Sequence, residues 1–152
     1  MDNLLILLLL PLLGALVLVL VQQARAAKQL ALIVSLISVA LTVPFLVNFV
    51  PDASMQFVQR FDWIPALGIR FHIGIDGISL PLVLLTNGLV PLIILSTFSR
   101  DYRGGFYALV LFMQSGLLLV FTALDAFAFY VGWEVALIPI YFICALWGGE
   151  DR

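Results

Sequence analysis

The chain has 152 residues, of which 64% are hydrophobic and 11% charged, with a net charge of −2. Soluble domains carry about 25% charged residues, so an ordinary soluble domain is excluded. The near-neutral balance supplies neither a basic run for nucleic acid nor an acidic tail, and the apolar residues fall in blocks near the ~20 residues that a membrane helix requires.

Five such blocks follow in order. The first runs from about Leu4 to Val21 and is interrupted by Pro11 and Gly14. The residues before it lack the positive charge that opens a signal peptide, so this block is expected to remain in the mature protein. The second runs from about Leu30 to Val50, with Arg25 and Lys28 read as lying in the connection ahead of it. Then comes a polar stretch, Pro51 to Asp76. Within it Phe61-Asp62-Trp63-Ile64 and Ile69-Arg70-Phe71-His72-Ile73-Gly74-Ile75 alternate in polarity around Pro65-Ala66-Leu67-Gly68. This pattern predicts a short β-hairpin on the membrane surface, with Trp63 suited to the interface. The third, fourth and fifth blocks run from about Ile78 to Phe98, Phe106 to Ala123 and Ala126 to Trp147. The expected fold is an all-α integral membrane protein of about five transmembrane helices with a short outer β-hairpin.

Charge sets the expected orientation. With five crossings, the connection holding Arg25 and Lys28, the connection Ser99 to Gly105, and the closing Glu150-Asp151-Arg152 share a side. They hold five of the seven Lys and Arg residues, while Arg60 and Arg70 lie opposite. Cations favour the cytoplasmic side, which places the N-terminus outside and the C-terminus inside.

Glu134 is the leading candidate for chemistry. It lies roughly 12 Å along the fifth helix from Ala126, at 1.5 Å per residue, well inside the hydrocarbon zone. A carboxylate there costs at least ~2.5 kcal/mol, so an ion or proton site is the default reading. Hydrocarbon disfavours the ionised form and a neighbouring cation favours it; a carboxyl between those influences can gain and lose a proton. Tyr130 at i−4 and Tyr141 at i+7 share its face and could support it through their hydroxyls. Pro139 removes a backbone bond and frees the carbonyl of Val135, about one turn away. The competing reading is a protonated, hydrogen-bonded structural glutamic acid.

The remaining polar residues read as structural. Asn87, Gln114, Ser115 and Thr122 suit hydrogen bonds between membrane helices. Asp76 and Asp125 precede helices and suit N-terminal caps. His72 has no second metal ligand nearby, and one cysteine, Cys144, can neither form an internal disulfide nor hold an iron–sulfur cluster. No motif in the chain points to NADH, a redox centre, a metal or another cofactor.

Two segments carry a family resemblance. Gly74-Ile75-Asp76-Gly77-Ile78-Ser79-Leu80-Pro81 resembles the start of helix three in chain M of bacterial complex I, the counterpart of mitochondrial chain 4. Trp133-Glu134-Val135-Ala136-Leu137-Ile138-Pro139-Ile140-Tyr141, with Leu146-Trp147-Gly148-Gly149, resembles its helix five. The resemblance implies the N-terminal part of an antiporter-like subunit of about fourteen helices in two inverted repeats. It further implies a proton-translocation channel coupled to quinone reduction, in a bacterial plasma membrane and among other membrane subunits of complex I. NADH, flavin, iron–sulfur clusters and quinone would then reside elsewhere in the complex. The family's glutamate matching Glu134 pairs with a lysine on a later, broken helix, which this stretch does not include, so the chain is expected to be a fragment. Alternatives are a related subunit of a multisubunit sodium/proton antiporter or a membrane-bound hydrogenase, or a purely structural membrane anchor.

Overall fold

A computed structural model describes residues 4–149, so the closing Glu150-Asp151-Arg152 lies outside the described residues. Five helices and one hairpin follow in chain order: α1 Leu4–Leu20, α2 Ala24–Asn48, β1 Gln56–Ile64, β2 Ile69–Ile75, α3 Ser79–Ser96, α4 Gly104–Thr122 and α5 Ala126–Trp147. Helices α2 to α5 are long and apolar enough to cross a membrane, whereas α1 is apolar but has 17 residues. At 1.5 Å per residue, α1 covers about 25 Å.

The helices pack up and down. Helix α4 is the central one, lying against α1, α2, α3 and α5. One buried cluster joins Ala15 and Leu18 of α1, Ala27 and Ala31 of α2, Ile94 of α3 and Tyr107 of α4. A second, toward the hairpin, joins Leu4 and Leu8, Phe45, Ile73 and Ile75, Val83 and Leu118. Many remaining apolar side chains face outward, as expected where lipid or further protein covers them.

Several boundaries differ from the sequence reading, and α4 starts at Gly104 and α2 ends at Asn48, each two residues earlier than expected. Helix α2 starts at Ala24, so Arg25 and Lys28 belong to its first turns rather than to a connection. Ala24, Ala26 and Ala27 are strong helix formers, and Ala27 and Ala31 are fully buried. The apolar pattern starts only at Leu30 because the cations, which can reach outward to water, interrupt it. Strand β1 begins at Gln56, five residues before the alternating pattern. A register shift between Gln56 and Gln59 breaks the period of two there. Helix α3 ends at Ser96, with Thr97 and Phe98 in a turn.

The hairpin is antiparallel and closes through a 3-10 turn at Pro65–Leu67. Gly68 follows with φ 68°, where nothing crowds a side chain; the backbone alone calls for glycine. The hairpin is tied to the bundle. Gln59 Oε1 accepts from the Leu5 N–H at the start of α1, at 3.0 Å. The Leu124 N–H donates to the His72 carbonyl at 2.8 Å, fastening β2 to the turn between α4 and α5.

Asp76 organises the entry to α3. Its Oδ1 accepts from the Ile78 and Ser79 N–H groups at 3.0 and 2.7 Å, and the Asp76 N–H donates to Ser79 Oγ at 2.8 Å. Bonds from Ser79 hold the Asp76 carboxyl below its ordinary pKa. The folded state therefore binds this proton less tightly than the unfolded chain does. The resulting stability is full above the ordinary aspartate range and is lost as pH falls through the lowered folded value. Asp76→Ala should cost about 0.5–2 kcal/mol of local stability at neutral pH, and Asp76→Asn less, because an amide oxygen still accepts. Amide hydrogen exchange at residues 78–80 reads this directly; equal acceleration in both variants would rule out the capping role.

Candidate functional site

Helix α5 is held at three levels. At its start, Asp125 Oδ1 accepts from the Phe127 and Ala128 N–H groups at 2.9 and 3.4 Å. Trp63 of the hairpin packs edge-on against Phe127, with ring centroids 5.3 Å apart. At its end, Trp147 packs on Phe106 at 5.3 Å. In the middle the buried residues are small: Ala128, Gly132 and Ala136, with Pro139 beyond. Their spacing of four puts Ala128, Gly132 and Ala136 on one face, and α4 opposes them with Gly116. A Cβ built on Gly116 would lie 2.6 Å from the Ala136 backbone nitrogen and 2.9 Å from the Val135 carbonyl carbon. The two backbones are thus in contact, the arrangement that small residues permit in membrane helices.

Glu134 adjoins this contact and is half-buried. Its helix is apolar for most of its length, and the phenol of Tyr130, one turn back, interacts with the carboxyl. Tyr141 shares the face by spacing but is 70% exposed, and its ring contact is with Phe142. The structure therefore brings Tyr130 to Glu134 and leaves Tyr141 apart. Pro139 is buried, and α5 continues through it without a break in the helix. Around Glu134 the outer face carries exposed Trp133, Leu137 and Ile138. This carboxyl therefore stands at the edge between the α4 contact and a surface with no neighbour among the described residues.

A second polar group lies inside the bundle. Asn87 Nδ2 donates to Thr42 Oγ1, and Gln114 Nε2 donates to Asn87 Oδ1, each at 2.7 Å. Thr42 in turn donates to the Ser38 carbonyl at 2.8 Å. These bonds join α2, α3 and α4, while Ser115 Oγ donates to the Leu8 carbonyl of α1 at 2.8 Å. Thr122 donates within its own helix, to the Leu118 carbonyl. Neutral amides and hydroxyls link helices but do not take up a proton near neutral pH, so these residues tie together the scaffold on which α5 docks.

The sequence reading missed Gly116 and Gly132. The signal was present as Ala128, Gly132 and Ala136 at intervals of four, but the partner on α4 is defined only by the three-dimensional contact. Among the described residues, no group of three or more His, Cys, Asp or Glu could hold a metal ion.

A bundle of long apolar helices with a surface hairpin, and a carboxyl on one of those helices, defines a segment of a helical membrane protein. Comparisons with known proteins make the assignment particular. The chain is 39% identical to F(420)H(2) dehydrogenase subunit M of Methanosarcina mazei over 150 residues, 97% of this chain and 30% of that protein. It is 39% identical to NAD(P)H-quinone oxidoreductase chain 4 1 of Thermosynechococcus vestitus over 133 residues, 86% of this chain and 25% of that one. Its structure matches a chain of respiratory complex I from Thermus thermophilus with bound NADH, with a TM-score of 0.83 and 27% identity, covering 98% of this chain and 30% of that chain. No family model matches. The chain is a homologue of the first two, which are named subunit M and chain 4, and it spans roughly a quarter to a third of the length of all three matches.

Proposed function

We propose that this chain is part of a proton-translocating membrane subunit of a quinone oxidoreductase of the complex I type, in which Glu134 gains and loses a proton during turnover. The observation that carries the proposal is the placement of Glu134. It is a half-buried carboxyl in the middle of an apolar helix, beside a phenol and at the edge of an uncovered face. Keeping an ionisable group at such depth is costly unless it is used or paired. The uncovered face suits further helices of the same subunit, since the relatives are three to four times as long. The resemblance supplies a lysine on one of those helices as the partner. A cation approaching Glu134 would favour release of its proton, and withdrawal of the cation would favour uptake.

Electron transfer belongs to other chains in this reading. NADH, flavin, iron–sulfur clusters and quinone are handled elsewhere in the complex, and the other membrane subunits are the partners. The functional test is proton transport by the complete complex carrying Glu134 variants.

The same reading includes an orientation in a bacterial plasma membrane, with the N-terminus outside and Arg25, Lys28, Arg100 and Arg103 on the cytoplasmic face. A single cysteine placed in the segment from Pro51 to Asp76, in a background lacking Cys144, should be labelled in intact cells by a membrane-impermeant maleimide. A cysteine at Arg100 should be labelled only after the cells are opened. The reverse pattern would invert the proposed topology.

A further inference from the structure

We propose that a cavity between the start of α2 and the end of α3 is a headgroup site for an anionic phospholipid, whose phosphate is held by Arg25 and Lys28. The cavity has a volume of about 370 Å³ and is lined by Arg25, Lys28, Gln29, Phe98 and Asp101. The three α2 residues are spaced i, i+3 and i+4 and so share one face of the helix. Lys28 is fixed: its Nζ donates to the Phe98 carbonyl at 2.8 Å and lies 5.7 Å from the Phe98 ring centroid. Its charge is therefore presented at a set position on the cavity wall. Arg25 is exposed, and no hydrogen bond or ion pair engages its guanidinium among the described residues. Its forked donors match the oxygens of a phosphodiester.

Two further observations favour an anion, and specifically an amphipathic one. Cations in the first turns of a helix oppose the helix dipole, and α2 has neither an acidic residue in its first turn nor a side-chain cap to compensate. A bound phosphodiester, with its one negative charge, would lie against both cations and offset part of their charge. Below the cavity the same face of α2 continues through Leu36 and Val43, eleven and eighteen residues beyond Arg25, which are 51% and 50% exposed. A lipid can lay its acyl chains along this apolar lane while its phosphate meets Arg25 and Lys28; free phosphate has no use for the lane. Asp101 also lines the cavity, and its carboxylate repels a phosphate and competes for Arg25. Removing that charge should therefore tighten lipid binding.

The test uses the full-length subunit in its complex, reconstituted in vesicles of phosphatidylcholine that contain a trace of photoactivatable phosphatidylglycerol or photoactivatable phosphatidylcholine. Crosslinks are mapped by peptide mass spectrometry to residues 25–43 and 98–101. Phosphatidylglycerol should label this region several-fold more than phosphatidylcholine. Arg25→Gln should lower the preference by about fivefold, the scale set by one cation near a membrane surface, and Asp101→Asn should raise it. Because the Arg25 side chain makes no bond among the described residues, its loss should leave folding intact, and Asp101→Asn gives an independent gain of signal. The proposal is overturned by equal labelling with the two lipids, by absence of labelling, by insensitivity to Arg25→Gln, or by displacement with millimolar inorganic phosphate.

Discussion

Gly116→Ala should loosen the docking of α5 by about 1–3 kcal/mol, and Gly116→Leu should prevent stable accumulation of the subunit. The reason is the nature of the atoms that a new side chain meets. The nearest neighbours of a Cβ on Gly116 are backbone atoms of Ala136 and Val135, at 2.6 to 2.9 Å. A side chain can rotate away from such a contact, but a helix backbone has to translate as a whole. Gly132 is the milder case, since its new Cβ would meet Leu119 side-chain atoms and the Val120 nitrogen at 3.0 to 3.1 Å. Gly88 supplies the control. It sits in α3 with nothing within 4 Å of a built Cβ, so Gly88→Ala should be neutral or stabilise by up to about 1 kcal/mol through helix propensity. Thermal inactivation of the purified complex distinguishes the three variants. Equal shifts for Gly116→Ala and Gly88→Ala would show that close approach of α4 and α5 does not hold α5 in place.

Helix α5 was legible in the sequence to the residue, because an apolar run follows Asp125 directly and ends in Trp147-Gly148-Gly149. Helix α2 was legible only from Leu30 onward. Hydropathy marks where a helix becomes apolar, whereas its actual start was decided by Ala27 and Ala31 packing into the core. The strand at residues 69–75 showed its alternation plainly; the shift at Gln56 to Gln59 concealed half of its partner. Glu134 stood out through its chemistry, a carboxyl inside an apolar run. Its setting did not, because neither the contact between Gly116 and Ala136 nor the bonds from Thr42 through Asn87 to Gln114 has a sequence spacing that reveals it. Each depends on which faces of different helices meet.

Glu134→Gln should leave assembly intact and lower proton transport on the order of tenfold or more, the scale of losing a positioned proton carrier. The amide preserves size and an acceptor oxygen but does not ionise at neutral pH. Glu134→Asp keeps the ionisable group on a shorter arm and should retain part of the activity, provided water or a mobile partner spans the gap. Tyr130→Phe should act more weakly, because it removes a neighbouring hydroxyl and leaves the carboxyl. This ordering separates a proton carrier from a structural glutamic acid, for which Gln is the better replacement and Asp the worse.

The most direct measurement is the proton-to-electron ratio of the complete complex in sealed vesicles, with proton uptake and quinone reduction recorded together for the parent and for Glu134→Gln. The account predicts an assembled variant in which turnover falls, or in which electrons continue to flow with fewer protons moved. An assembled Glu134→Gln complex with unchanged turnover and an unchanged ratio would contradict it, leaving Glu134 as a hydrogen-bonding side chain alone.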